Sequence, residues 1–170
     1  MTITTEGNVE GNVADLPIYS QMSQSLPIQV ELIASASEKH IPKYAHEGDA
    51  GMDLRSNVRA RINPGAIAKI ATGIKVAIPS GYVGLIHPRS GLASKGITVA
   101  NAPGTIDSGY RGELMVLLVN HGELAFDIHD GDRIAQLVVQ KFEHCSVKVV
   151  ESLDHQTERG DEGFGSSGIK

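Results

Sequence analysis

Turn-forming residues cut this chain into short pieces, and their spacing limits what it can become. Asn63-Pro64-Gly65, Thr72-Gly73 and Pro79-Ser80-Gly81 separate four apolar-rich runs at residues 58–62, 66–71, 74–78 and 82–87. Glycine supplies positive φ and proline presets the first corner, so each separator predicts a reversal of the chain. A packed helix needs roughly ten residues or more, and these intervals suit strands instead. The same rhythm continues outside this region, with strands predicted at 28–33, 113–120, 125–128, 133–140 and 147–150. Only Ser90 to Lys95 reads as a helical turn. An all-β chain of about ten short strands predicts a sandwich or jelly roll.

The length of 170 residues fits one domain with a real core, and a period of 20–50 residues is absent. Three parts are expected: a flexible N-terminal extension at 1–26, a β core at 27–150 and a mobile C-terminal arm at 151–170. The formal charge of −5 gives no general attraction to nucleic acid or anionic membrane. An anionic ligand must then be held by local Arg and Lys or by a metal. Cys145 is the one cysteine, so an internal disulfide is excluded and a reducing compartment is expected. No run reaches membrane-spanning length and no signal pattern opens the chain, which predicts a soluble cytoplasmic protein. Seven histidines are present, but none is spaced like a zinc-ligand pair.

The chemistry concentrates in five segments. Ala50-Gly51-Met52-Asp53-Leu54 puts a carboxylate after a glycine that allows close approach. Pro88-Arg89-Ser90-Gly91-Leu92-Ala93 opens the helical turn with groups suited to phosphate. Residues 100–112, Ala-Asn-Ala-Pro-Gly-Thr-Ile-Asp-Ser-Gly-Tyr-Arg-Gly, join two apolar runs as a hairpin. In it Asp107 is a carboxylate beside an aromatic wall, Tyr110; taken alone, an ordinary polar loop fits equally. Gly131-Asp132-Arg133-Ile134-Ala135-Gln136-Leu137 enters a strand with charges at its mouth. The glycine-rich tail from Thr157 to Gly168 carries Arg159, Phe164 and the Ser166-Ser167 pair. The unbroken apolar run 114–119 predicts a strand covered on both faces, as by a partner subunit.

Five such segments in this order resemble the trimeric dUTP diphosphatase (dUTPase) family, and the resemblance covers the chain after about residue 26. It implies a jelly-roll protomer in a homotrimer whose active sites are shared between subunits, and a Mg2+-assisted hydrolysis of dUTP to dUMP and diphosphate. That reaction keeps uracil out of DNA and supplies dUMP for thymidylate synthesis. The resemblance assigns uracil recognition to the main chain around Asn101, Gly104, Thr105 and Ile106 and to Met115. It assigns Tyr110 to the deoxyribose, where no room is left for a 2′-hydroxyl. Asp107 is implied as general base, with Asp53 in support and Gln136 on phosphate or the water. Arg89, Ser90 and Gly91 would meet the phosphates. Arg159 would clamp the γ-phosphate, Phe164 would stack on uracil, and Gly165, Ser166 and Ser167 would wrap the phosphates. Arg133 is either a phosphate contact or a structural partner of an acid near Asp53. Mg2+ would be held mainly by phosphates and water, with no protein cage. The alternatives of the same fold are a dCTP deaminase-like enzyme and a non-catalytic nucleotide-binding trimer.

Overall fold

Alternation of apolar and polar side chains along short strands decides which residues face inward. The computed structural model describes residues 25–153, 157, 160 and 161. Its strands are β1 (Gln29–Leu32), β2 (Met52–Arg55), β3 (Ala60–Ile62), β4 (Ile67–Ala77) and β5 (Tyr82–His87). They continue as β6 (Ile97–Val99), β7 (Gly104–Ile106), β8 (Glu113–Asn120), β9 (Phe126–Ile128) and β10 (Arg133–Lys141). One short helix, α1 (Ser90–Ala93), follows β5, and a 3-10 turn spans Glu38–His40. Among the described residues no helix is long and apolar enough to cross a membrane.

The strands form two four-stranded sheets, β1-β4-β8-β6 and β2-β10-β5-β7, with β3-β9 as a separate pair. The inward side chains of both larger sheets make one apolar cluster: Leu54, Ile86 and Leu137 from one, Ile70, Val116 and Leu118 from the other. This is the jelly-roll sandwich that the turn spacing predicts. Each fully buried Leu or Ile contributes about 1.5–3 kcal/mol relative to exposure.

Two local expectations change. Thr72-Gly73 does not reverse the chain, because β4 runs straight through it. Its pairing with β8 instead slips between Ala71 and Lys75, and Gly73 takes φ +76° inside the bulge. A bulge and a turn need the same left-handed glycine, so their local signals coincide. Residues 147–150 form no strand; Val147 and Val149 are each 92% exposed, and among the described residues no strand pairs with them. Within the chain the apolar run of β8 buries Leu114, Val116, Leu118 and Val119, while Met115 and Leu117 stay partly exposed on the face that the expected partner subunit would cover.

The predicted hairpin is present but is not simple. β6 pairs antiparallel with β8, Val99 opposite Leu118, in one sheet. Between them β7 crosses to the other sheet and pairs with β5, Thr105 opposite Leu85. The segment therefore ties the two layers of the sandwich together.

The entrance to β10 is pinned from outside the sheet. His40 is buried, its Nδ1 accepts the Ser37 N–H at 3.0 Å, and Nε2 lies 2.8 Å from Asp130 Oδ1. With Nδ1 acting as acceptor, Nε2 carries the proton and donates. Lys39 Nζ also donates to Asp130. The Lys39 ammonium, and then the His40 ring, hold the Asp130 carboxyl below the usual carboxylate range.

Candidate active site

Cross-strand register brings distant segments into one row. Gln136 on β10 lies opposite Asp53 on β2 and opposite His87 on β5. Their strand neighbours Leu54, Leu137 and Ile86 are buried, so these three polar residues share the outward face. A cleft of about 530 Å³ lies over the row, lined also by Asp49, Gly51, Arg89, Ser90 and Gly91.

The cleft is organised by side chains that hold one another. Arg89 Nε donates to Asp53 Oδ1 at 2.9 Å, and Arg133 Nη1 donates to Asp53 Oδ2 at 3.5 Å. Arg89 Nη1 reaches the Arg133 carbonyl at 3.4 Å. Asp53 is therefore a paired carboxylate that orients two guanidiniums, and Arg133 takes the structural partnership with an acid. Gln136 Nε2 donates to the Pro88 carbonyl at 3.0 Å, joining β10 to the turn before α1. A Cβ at Gly51 would come within 2.5 Å of Gln136 Oε1, so only glycine leaves that amide its place. Ser90 and Gly91 stand exposed at the start of α1 and line the same cleft as Arg89.

The hairpin groups stand apart from this cleft. None of Asn101, Asp107, Tyr110 and Met115 lines it. Asp107 is exposed, and its carbonyl accepts the Tyr110 N–H at 3.0 Å in a turn. Tyr110 Oη donates to the Glu113 carbonyl at 2.9 Å. Arg111 Nη1 donates to the carbonyls of Ser108 at 2.7 Å and Tyr110 at 2.8 Å, bracing the loop. Gly104 is buried on β7, with Thr105 exposed and Ile106 half-buried. A Cβ at Gly104 would lie 3.3 Å from Asn101 Nδ2, which places the Asn101 amide over the Gly104 backbone. Asn101 itself is exposed, and Met115 is partly exposed on β8.

The remaining predicted residues, Arg159, Phe164, Gly165, Ser166 and Ser167, lie outside the described residues, as does nearly all of 1–26. Among the described residues no group of three or more His, Cys, Asp or Glu side chains is placed to hold a metal. His87 and Asp49 also line the cleft and were missed in the sequence. His87 immediately precedes the Pro88-Arg89 motif, but only the pairing with Gln136 reveals which way its strand faces.

Comparison with known proteins identifies the family. The family model for dUTPase matches residues 37–168. A deoxyuridine 5'-triphosphate nucleotidohydrolase of Rhodococcus erythropolis is 57% identical over 130 residues, covering 75% of this chain and 79% of that one. One of the same name from Corynebacterium glutamicum is 50% identical over 141 residues, covering 82% and 94%. Among solved structures, the dUTPase of Staphylococcus bacteriophage 80alpha with dUPNHPP superposes with a TM-score of 0.77 at 33% identity. That match covers 85% of this chain and all of the phage chain. A variant dUTPase of S. aureus phage phi11, described as coordinating a structural Mg(II) ion, gives a TM-score of 0.67 at 31% identity, covering 75% and 98%. A jelly roll that assembles Asp53, Arg89 and Gln136 in one cleft, matched by the family model over most of its length and by relatives at half identity or more, belongs to the dUTPase family.

Proposed function

We propose that this protein hydrolyses dUTP to dUMP and diphosphate by in-line attack of water on the α-phosphorus, with Asp107 as general base. The observation that carries the reading is the cleft in which Arg89, Ser90 and Gln136 converge beside the Asp53 carboxylate. A guanidinium held by a carboxylate is preorganised for phosphate, because its orientation is set before substrate arrives. Water loses its proton to the Asp107 carboxylate as its oxygen bonds to phosphorus. The bond from phosphorus to the α–β bridging oxygen breaks, and diphosphate leaves. General-base assistance of this kind is worth about 10²–10⁴-fold.

The base is read by the main chain of Asn101 to Ile106 together with Met115, and Tyr110 forms the wall under the deoxyribose. Arg159 and Phe164 contribute the γ-phosphate clamp and the uracil stack, with Gly165, Ser166 and Ser167 around the phosphates. The cleft wall offers the carboxylates Asp49 and Asp53, the latter already paired. That donor set fits a hydrated Mg2+ carried by the phosphates and touched through water. When bound, Mg2+ neutralises triphosphate charge and polarises the α-phosphorus.

The active unit is a homotrimer with shared sites. Support comes from the separation of Asp107 and Tyr110 from the Arg89 cleft, which leaves one protomer without a complete site. The half-covered outer face of β8 supports it too. A cytoplasmic setting agrees with the one cysteine, Cys145, standing exposed and free. Diphosphate release measured with Mg2+ across all dNTPs and NTPs tests the reading. Turnover of dUTP alone is expected; ammonia release from dCTP without diphosphate from dUTP would replace it with a deaminase. Sedimentation of the full chain tests the trimer, and a monomeric active species would overturn it.

A further inference from the structure

We propose that Glu113 is a positioning residue that sets the Tyr110 ring through the β4 bulge, and thereby tunes discrimination between deoxyribose and ribose. The inference rests on the reading of Tyr110 as the sugar wall.

The bulge leaves backbone groups of β4 without a strand partner. Opposite β8, Ala71 pairs with Met115 and Lys75 pairs with Glu113, so four steps on β4 match two on β8. The freed Gly73 N–H donates to Glu113 Oε1 at 2.8 Å. The buried Thr72 hydroxyl donates to the Leu114 carbonyl at 2.7 Å. Both bonds grip the first residues of β8. The bulge itself cannot drift. Gly73 O accepts the Ile33 N–H at 2.9 Å, and a Cβ at Gly73 would lie 2.8 Å from the Ala36 Cβ.

Glu113 passes this rigidity to Tyr110. Its carbonyl accepts the Tyr110 hydroxyl at 2.9 Å, while its carboxylate is held by the bulge. The ring lies over Gly112, where a Cβ would approach Tyr110 Cζ to 2.6 Å. Ring tilt is thus defined at two places, by Gly112 beneath and by the Glu113 carbonyl at the tip. A wall that excludes a single hydroxyl has to keep its position to a fraction of an ångström, because steric rejection fades once the surface can retreat. The carboxylate-to-bulge bond supplies that firmness without touching the substrate.

The test compares the dUTP-to-UTP ratio of kcat/KM in four full-length variants, with unfolding temperatures measured alongside. Glu113→Ala is expected to lower the ratio about five- to ten-fold, the range of one ordinary net hydrogen bond. The change should lie mainly in UTP turnover. Glu113→Gln keeps an acceptor for the Gly73 N–H and is expected to retain most of the ratio. Tyr110→Phe removes the tether at its other end and should lower the ratio without a fold defect. Tyr110→Ala separates the two levels: an unchanged ratio there overturns the sugar-wall reading itself. A lowered ratio in Tyr110→Ala, with wild-type ratios in Glu113→Ala and Tyr110→Phe, overturns the tether alone. Equal losses in Glu113→Ala and Glu113→Gln overturn the acceptor role.

Discussion

Arg89 Nε and Asp53 Oδ1 meet at 2.9 Å, joining the turn after β5 to β2 across the intervening strand β10. Asp53 keeps only 15% of its side chain exposed and Arg89 27%. A partly desolvated pair of this kind fixes geometry more than it adds stability. Under the proposed function, its importance is that the guanidinium is already aimed before a phosphate arrives.

Arg89→Lys is expected to lower kcat/KM for dUTP by about ten-fold or more, since an ammonium cannot bond Asp53 and present a flat fork to phosphate together. Steady-state hydrolysis decides it. In the double variant with Asp53→Asn the two losses should not add, because each removes the same contact. Strict additivity would mean that the pair has no joint role.

Asp107→Asn should retain binding of a non-hydrolysable dUTP analogue while turnover falls by about 10²-fold or more. Calorimetric binding together with single-turnover hydrolysis separates the two effects. Loss of binding equal to the loss of rate would move Asp107 from proton transfer to substrate holding.

Gly51→Ala is expected to fold normally yet lose activity several-fold. The new methyl would meet Gln136 Oε1 at 2.5 Å and push the amide off the Pro88 carbonyl. The far end of a glutamine moves cheaply, so the unfolding temperature should shift little. A large stability loss with unchanged kcat in the surviving fold would contradict this account.

The Asp130 carboxyl predicts an acid-dependent contribution to stability. Lys39 and then His40 hold it below the usual carboxylate range, so the folded state binds this proton less readily than the unfolded chain. The stabilisation is therefore present above the ordinary carboxylate pKa and is lost as pH falls through the lowered folded value. Thermal melts of Asp130→Asn should lie below wild type near neutral pH. The gap should close on acidification below about pH 4. A gap that stays constant down that range would remove the linkage.

Much of the site can be read locally. The turn residues around Tyr82 to His87 delimit β5 to the residue, and Ser90 begins the helical turn that its position after Pro88-Arg89 predicts. Asp53, Arg89 and Gln136 stand out because their residue types and spacing are unusual for plain strands. Errors fall where one local signal serves two structures. Gly73 has the left-handed φ of a turn, but long-range pairing of β4 with β8 makes it a bulge. The valines at 147–150 alternate like a strand, yet a strand exists only where a neighbour accepts its backbone.

By itself, the sequence determined the all-β character and the order of the five segments, because turn preference and strand alternation act over a few residues. Tertiary structure alone decided which segments share a surface. It set Asp53, Gln136 and His87 in one row, bound Arg89 to Asp53, and sent β7 across to the second sheet, away from β6 and β8. Register between strands tens of residues apart follows from burying every apolar face at once, and a shift of one residue would turn this polar row into the core.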